Sequence, residues 1–338
     1  MADGVLFPAA LEVDRTGTVP DTHWAAMADA GLYGIAAPSE HGGPGLALAD
    51  IVDILEVMAG GCLATAFTWI QHHGMVLALA SSRNTSLRDE MLPGAVAGRI
   101  KGGVAYAGAV PVPPRMRAAR VNGGWRMAGH APFVSGWGVV DVLQISAGDV
   151  DTGDIVAGLV AARSQPGLVA ITPQDLCVAD ASRTVSLDVD GLVIPDERIV
   201  SRVPRAEFMA NQNFGSRLNA TLPIGVVRRC ARLLEQVGQA EAAAAFRHQS
   251  DAVRRKLDAG LCDSSSLLEA RADGCALATR AAAAVVAAFG GQALLRTSHA
   301  QLLARWAAFT LVAASRPELK RSLVSRMANE ARALSSPT

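Results

Sequence analysis

The sequence has little that would direct the chain to a charged or membrane partner. Acidic and basic residues balance at 31 each in 338 residues, so no net charge favours nucleic acid or an anionic surface. No run of apolar residues approaches the roughly 20 that a membrane helix needs. The first residues also lack the charged-then-apolar order of a signal peptide. We therefore expect no nucleic-acid or membrane partner and a cytoplasmic location.

Cysteine is also scarce and irregularly spaced. The five cysteines are odd in number and show no CxxC spacing, which gives no sign of a disulfide framework or a zinc site. Free cysteine is among the residue types most often buried. We expect all five to be reduced core residues: Cys62, Cys177, Cys230, Cys262 and Cys275.

The hydrophobic pattern changes its period twice along the chain. Half of the residues are apolar, enough for a sizeable core. Helical spacing over residues 21–99 gives way to alternating, β-branched runs over residues 102–203, and long Ala/Leu/Arg-rich helices follow. This order predicts an α-helical domain, a β domain and a C-terminal α-helical bundle, with bounds 1–101, 102–204 and 205–338.

The segment 121–141, VNGGWRMAGHAPFVSGWGVVD, contains turn signals and groups that suit a flavin. Asn122-Gly123-Gly124 predicts a hairpin, and Gly129 is expected to start a further strand. The segment resembles the flavin-facing hairpin of acyl-CoA dehydrogenases, in which an aromatic side chain packs on the isoalloxazine ring and a hydroxyl bonds its edge. The resemblance assigns these roles to Phe133 and Ser135, whose side chains suit them. An ordinary half-buried hairpin is the alternative.

The resemblance extends to both ends of the chain. Residues 31–45 are similar to the Gly-rich signature near the start of the family, which usually begins with one further helix. Phe289, Gly290 and Gly291 match a Phe-Gly-Gly turn that, in the family, approaches the flavin pyrophosphate of a neighbouring subunit. Glycine suits that place because its backbone can come close to phosphate; a helix C-cap is the alternative. The resemblance implies an α+β, acyl-CoA dehydrogenase-like fold with FAD: an N-terminal helical domain, a central β-barrel or sandwich and a C-terminal four-helix bundle.

The same resemblance exposes a missing catalytic group. In a gap-free register through Arg305, the glutamate that most members use as base falls at Ala314. Dehydrogenation removes a proton next to the thioester carbonyl, so a base is required. Some members place this base on the first long bundle helix, and Glu241 lies one position from that place. Glu241 is the candidate base, with a solvated surface glutamate as the alternative.

Two further features are open to more than one interpretation. A family loop whose arginine helps bind pyrophosphate is contracted here to residues 245–249, where Arg247 is a candidate substitute or only a surface charge. His72 and His73 follow a helix in the first domain. Adjacent helical residues point about 100° apart, so we predict no metal site there. Either histidine would serve as an acid or base near the substrate, or as a core or capping residue.

Three functions are compatible with these features. The first is FAD-dependent α,β-dehydrogenation of an acyl thioester, CoA- or carrier-bound, with an electron-accepting flavoprotein or oxygen as acceptor. The second is a flavin-dependent monooxygenase on the same fold, which needs no thioester base. The third is a non-catalytic subunit that pairs with a complete paralogue. The resemblance implies a homodimer or tetramer for the first two, and a hetero-oligomer for the third.

Overall fold

The computed structural model describes residues 1–333, with side chains described as far as residue 328. The N-terminal part is helical. A short π-helical turn, Ala2–Leu6, leads into five α-helices, which are α1 (Phe7–Thr16), α2 (Asp21–Asp29), α3 (Leu48–Ala59), α4 (Leu63–Ala80) and α5 (Thr85–Val96). Side-chain capping fixes where α5 begins, because the Asn84 side chain accepts a hydrogen bond from the Leu87 N–H at 3.1 Å.

Eight strands follow and form one mixed sheet. They are β1 (Gly102–Ala105), β2 (Met116–Val121), β3 (Gly124–Val134), β4 (Val142–Asp149), β5 (Ile155–Ala161), β6 (Leu168–Pro173), β7 (Val185–Pro195) and β8 (Ile199–Val203). The strand order is β6-β7-β3-β2-β4-β5-β8, with β1 also paired to β4. β1 and β2 run parallel to β4, and the other pairs are antiparallel. Strand pairing therefore gives a single sheet where the sequence suggested a barrel or sandwich.

The predicted hairpin is confirmed, but the expectation that a further strand starts at Gly129 is wrong. Val121 pairs with Gly124 across the two-residue turn, and β3 then continues through Gly129 without a break. Gly129 has φ +130°, and a β-carbon there would lie 1.9 Å from the Arg115 carbonyl oxygen. The glycine thus permits a close backbone approach inside the strand, which a sequence pattern does not distinguish from a turn.

The C-terminal part is a helical bundle. Its helices are α6 (Arg205–Asn219), α7 (Thr221–Gln236), α8 (Ala240–Ala259), α9 (Ser264–Phe289), α10 (His299–Val312) and α11 (Pro317–Ala333). Asp263 caps α9 by accepting hydrogen bonds from two backbone N–H groups in the first turn. Four helices pack around α9, namely α7, α8, α10 and α11.

One stretch of the described chain is long and apolar enough to cross a membrane, by length and composition alone. It is Ser264–Leu294, which begins with α9. Charged residues, among them Arg271 and Arg280, interrupt this stretch, so it contains no uninterrupted apolar run of the length that the sequence analysis considered. In the fold, α9 lies at the centre of the bundle, where its small side chains allow close packing of the neighbouring helices.

The two helical parts share one hydrophobic core. Leu6, Trp69, Leu222 and Trp306 belong to the same cluster of buried side chains, although their positions span most of the sequence. A second cluster fills the sheet, and a third joins α4 and α5 to β5 and β8. The helical parts therefore stabilise one another through apolar burial.

The expectation for the cysteines needs a correction. All five are free thiols, as expected. Cys62, Cys230 and Cys275 are buried, but Cys177 and Cys262 are exposed, because Cys177 lies in the connection after β6 and Cys262 ends a short 3-10 turn between α8 and α9.

Candidate functional site

Ser135 belongs to a chain of three buried hydroxyl groups. Its Oγ lies 2.8 Å from Thr184 Oγ1, which lies 2.8 Å from Ser182 Oγ. All three side chains are at most 5% exposed, and their oxygens make no other hydrogen bond within the described residues. Three hydroxyls carry three protons, and their two mutual bonds use two. One hydroxyl proton is therefore left to donate to a group outside these three. It is the Ser135 proton if Ser182 donates to Thr184 and Thr184 donates to Ser135.

Phe133 lies two residues earlier in a strained and exposed conformation. Its side chain is 66% exposed, and its φ of +52° lies in the left-handed region, at an irregularity in the β3–β7 pairing. Such a backbone costs a phenylalanine about 1–2 kcal/mol. The bulge turns an aromatic ring outward beside the hydroxyl chain, and strained positions of this kind cluster at ligand sites.

Tyr106 lies in a segment that runs alongside the end of β3. A β-carbon on Gly103 would lie 3.4 Å from the Ser135 carbonyl oxygen, and one on Gly108 would lie 2.6 Å from that of His130. Segments 103–108 and 130–135 therefore run alongside each other in opposite directions, which brings Tyr106 level with Phe133. Burial raises the pKa of Tyr106, and the charges of two arginines oppose that rise.

The first of these arginines, Arg271 on α9, contacts Ala314, the position at which the resemblance places the family's base. Its Nη1 donates to the Ala314 carbonyl oxygen at 3.1 Å, and its Nη2 donates to that of Ala313. Ala314 has φ +44°, in the turn between α10 and α11. The second arginine is Arg316, in the same turn. The charges of Arg271 and Arg316 act on Tyr106, and the Tyr106 segment runs alongside the end of β3. On this basis Tyr106, Phe133, Ser135, Arg271 and Ala314 are grouped here as the inner site.

His72 and His73 lie inside α4, not after a helix as predicted. Both are fully buried. His72 Nδ1 accepts a hydrogen bond from the Gly102 N–H at 3.0 Å, so it is unprotonated there, and burial lowers the pKa of His72 to about 4. Within the described part of the chain the His73 ring nitrogens have no hydrogen-bond partner, and burial holds the pKa of His73 well below its usual value. Both are therefore neutral core histidines near pH 7.

The predicted phosphate-binding turn lies at the other end of α9. Gly290 ends the helix with φ +56°, and a β-carbon on Gly290 or Gly291 would meet open space. Leu294 and Leu295 follow and are 76% and 57% exposed. From Arg271 to Phe289 the helix rises about 27 Å, so within one chain this turn is remote from the inner site.

Glu241 lies near this turn, on the first turn of α8, and its side chain is exposed. Two contacts, Arg280–Gln249 at 3.0 Å and Lys256–Asp273 at 2.8 Å, show that α8 and α9 are antiparallel. Helical rise then separates Glu241 from Arg271 by about 25 Å along the bundle. The structure does not bring Glu241 to Ala314 in the same chain.

Arg247 lies within α8, where the resemblance implied a contracted loop. This loop is absent because the Ala-rich stretch before Arg247 continues as regular helix. The exposed Arg247 guanidinium pairs with Glu235 on α7 and lowers the pKa of that carboxyl. Arg247, Glu241 and Phe289–Gly291 thus form a second group at one end of the bundle, called here the outer turn.

Sequence reasoning missed several members of the inner site. Thr184 and Ser182 lie far from Ser135 in sequence. The one signal for them was their Ser-x-Thr pattern just before β7. Arg271 gave no signal, because an arginine in a long helix is usually a solvated charge. Tyr106 follows β1 without any motif.

The inner site fits an isoalloxazine ring. Phe133 offers an exposed aromatic face, and the hydroxyl chain has one proton free for a polar edge. Both groups are supplied by β3 and the turn after it, which the β7 pairing holds in place. The exposed aromatic face of Phe133 and the free hydroxyl proton at Ser135, which the resemblance requires, are therefore present together.

Comparison with known proteins gives consistent results. The family model for the acyl-CoA dehydrogenase N-terminal domain matches residues 1–99. A 2-methylacyl-CoA dehydrogenase of Solanum tuberosum is 23% identical over 94% of this chain and 85% of its own length. An L-evernosamine nitrososynthase of Micromonospora is 28% identical, over 58% of this chain and 48% of that protein.

Structural comparison agrees over nearly the whole chain. The fold matches a glutaryl-CoA dehydrogenase of Mycobacterium smegmatis, solved with FADH2, at a TM-score of 0.82 and 15% identity, covering 96% of this chain and 91% of that one. The helix, sheet and helix order and these matches lead to one conclusion: residues 1–99 match the N-terminal domain of acyl-CoA dehydrogenases, and the chain as a whole has the acyl-CoA dehydrogenase fold.

Proposed function

We propose that the chain is an FAD-dependent oxidoreductase that dehydrogenates an acyl thioester between its α and β carbons. The observation that carries the proposal is the free hydroxyl proton of the buried Ser135–Thr184–Ser182 chain beside the exposed ring of Phe133. The match to acyl-CoA dehydrogenases supports acyl-CoA oxidation in general, and the site supplies the residues that would hold FAD.

Each residue of the inner site has a physical role in this proposal. Phe133 packs against the ring system and keeps water from it, and Ser135 donates a hydrogen bond to its polar edge. Bound FAD would supply the acceptor for the hydride that leaves the β-carbon. Arg271 holds the carbonyl groups of Ala313 and Ala314 and so fixes the turn that would face the substrate.

The α-proton requires a base, and Ala314 cannot act as one. Glu241 is the proposed base. Because it lies about 25 Å from Arg271 along the bundle, it can act only on the substrate of a second copy of the chain. The exposed Leu294 and Leu295 near this end favour such a contact, since exposed apolar side chains commonly mark interfaces.

The outer turn would then complete the neighbour's cofactor site. Gly290 and Gly291 leave room for a phosphate to approach the backbone, and Arg247 supplies a cation at the same end. This arrangement implies a homo-oligomer, with an electron-accepting flavoprotein or oxygen as the final acceptor. A hetero-oligomer with a paralogue would use the same surface.

The test begins with the purified protein and FAD. We expect yellow protein whose flavin is bleached anaerobically by an acyl-CoA, and we expect Glu241→Gln to abolish the bleaching while the protein stays yellow. Glu207→Gln is the matched control, because Glu207 is an exposed glutamate in the first turn of another helix, α6. Full bleaching of the Glu241→Gln protein by an acyl-CoA would show that Glu241 is not the base. Protein that takes up no FAD would overturn the proposal and favour a non-catalytic subunit.

A complementation experiment tests whether the site is shared between chains. One variant carries Ser135→Ala with Phe133→Ala at the inner site, and another carries Glu241→Gln at the outer turn. Each alone is expected to be inactive. Mixed oligomers should regain activity if one chain supplies the inner site and the other the outer turn, and inactive mixtures would show that Glu241 does not act across an interface.

A flavin-dependent monooxygenase is the second candidate. Alanine at position 314 favours it, because oxygenation needs no thioester base, and the similar L-evernosamine nitrososynthase is named for a different reaction. Substrate-dependent oxygen consumption with reduced flavin, without anaerobic bleaching by any acyl-CoA, would favour this reaction over dehydrogenation.

A further inference from the structure

Two guanidinium groups lie at Ala314 without an acidic partner. Arg271 is 2% exposed, and Arg316 lies two residues beyond Ala314. The positive charge of Arg316 acts on Arg271, so the two repel each other. Neither makes an ion pair with any carboxylate among the side chains described to residue 328.

The backbone around Arg271 offsets only part of this charge. Its two carbonyl partners follow the C-terminal end of α10, where the helix dipole supplies about half a negative charge. A buried ion without a counter-ion costs several kcal/mol. The positive charge therefore calls for an anion from outside the chain.

Unused hydrogen-bond donors lie at the same place. Arg271 Nε and Ser315 Oγ are both buried and have no hydrogen-bond partner among the residues that the structure describes. A guanidinium and a hydroxyl donate well to a carboxylate, whose two oxygens accept several bonds. In the gap-free register of the resemblance, the family's own glutamate carboxylate falls at residue 314, so the expected anion is carboxylate-sized.

We propose that Arg271, Ser315 and Arg316 bind a carboxylate on the acyl group of the substrate, so that the preferred substrates are thioesters of dicarboxylic acids. The thioester part rests on the proposed function, whereas the carboxylate part rests on these three residues. Arg271 and Arg316 are specificity-determining residues in this scheme, and the carboxylate neutralises their charge.

The first experiment measures binding without flavin. Glutarate is titrated into the protein by calorimetry, with its uncharged diamide and with inorganic phosphate as comparisons. We expect glutarate to bind more tightly than phosphate and the diamide not to bind, because the diamide offers no charged acceptor to the two guanidinium groups. Equal binding of phosphate would overturn the assignment to a carboxylate, and no binding of glutarate would overturn the site.

Two matched pairs of variants localise the binding. Arg316→Gln should weaken glutarate binding about tenfold, whereas Arg321→Gln, which changes an exposed side chain on α11, should leave it unchanged. Ala314→Glu places a carboxylate beside Arg271 and should abolish glutarate binding, whereas Ala314→Gln should not. Ala314→Glu and Ala314→Gln both keep the backbone carbonyl contacts of Arg271, so both variants are expected to fold. Unchanged binding in Arg316→Gln and Ala314→Glu would place glutarate elsewhere.

The second experiment separates this inference from the proposed function. Glutaryl-CoA and pentanoyl-CoA, which differ at the acyl end by a carboxylate, are compared through the flavin spectrum of the FAD-loaded protein. Tighter binding of glutaryl-CoA, lost in Arg316→Gln, supports both proposals. Equal binding of the two thioesters overturns the carboxylate preference and leaves the oxidoreductase intact. Binding of glutarate with no flavin response to either thioester would support the carboxylate site and overturn the proposed oxidoreductase function.

Discussion

The inner site and the outer turn are joined by the same helix, α9, but they differ in how their groups are held. At the inner site, Ser135 and Arg271 are at most 5% exposed, and their contacts come from strands and turns distant in sequence. At the outer turn, Gly290, Glu241 and Arg247 are exposed and make only local contacts. The first region has its geometry set within one chain, whereas the second leaves groups free for a partner.

This difference has a consequence for the effects of substitution. Changes near the inner site should alter the free energy of unfolding as well as binding, because buried polar groups lose partners. Changes at the outer turn should alter binding with little effect on stability, unless the backbone itself is strained. Four measurements test this contrast, from the largest expected effect to the smallest.

The largest effect is expected from acid, through the histidines that border β1. Burial lowers the pKa of His72 to about 4, against 6.5 in an unstructured chain. Between these values the unfolded chain binds more protons, so the free energy of unfolding falls as the pH drops below 6.5. His72 alone accounts for about 3 kcal/mol by pH 4. Denaturant unfolding at several pH values measures this loss.

His72→Asn is the control for this prediction. Asparagine can still accept the hydrogen bond from the Gly102 N–H but does not titrate. The variant should therefore lose less stability than the wild type between pH 6.5 and 4. The same pH slope in both proteins would mean that His72 is not held neutral by burial.

The next largest effect is expected at Thr184. Valine at this position removes the hydroxyl that joins Ser135 to Ser182 and leaves two buried hydroxyls without their partner. At about 1 kcal/mol for each lost hydrogen bond, Thr184→Val should lower the free energy of unfolding by about 2 kcal/mol and weaken FAD binding. Thr184→Ser keeps the hydroxyl and should restore both. Normal FAD affinity in Thr184→Val would show that the hydroxyl chain does not orient Ser135.

The two glycines of the outer turn should differ from each other. Gly290→Ala places a side chain at φ +56° and should cost about 1–2 kcal/mol of stability. Gly291→Ala lies in open space without positive φ and should cost less than about 0.5 kcal/mol. If the turn approaches a partner's cofactor, Gly291→Ala will still weaken FAD binding. Unchanged FAD affinity with unchanged stability would make the turn a helix cap only.

The smallest effect on stability is expected at Arg247. Its pair with Glu235 is exposed on both sides, and exposed pairs contribute little to stability. Arg247→Gln should therefore leave the denaturant midpoint unchanged. A raised dissociation constant for FAD at low salt would assign Arg247 to the cofactor, and a shifted midpoint would show that the contrast between the two regions fails at this position.

The parts of the site that could be predicted from sequence were those carried by local motifs. Asn122-Gly123-Gly124 predicted the β2–β3 turn correctly because two-residue hairpins depend on nearby residues. Gly129 was misassigned because its role is the close approach of another strand. Arg247 was misassigned because helix formation by its neighbours outweighed the expected loop. Arg271 and Tyr106 were missed because their importance comes only from what surrounds them.

The sequence by itself determined the order of helix, sheet and helix, the resemblance to acyl-CoA dehydrogenases, and the absence of a carboxylate at residue 314. These follow from periodicity, motifs and residue identity, which are local properties of the chain. Only the tertiary structure decided that Thr184 completes the Ser135 hydroxyl chain, that Arg271 lies buried against Ala314, and that Glu241 is far from both. Hydrogen-bond partners, burial and counter-charges depend on which distant segments pack together, and no local pattern specifies them.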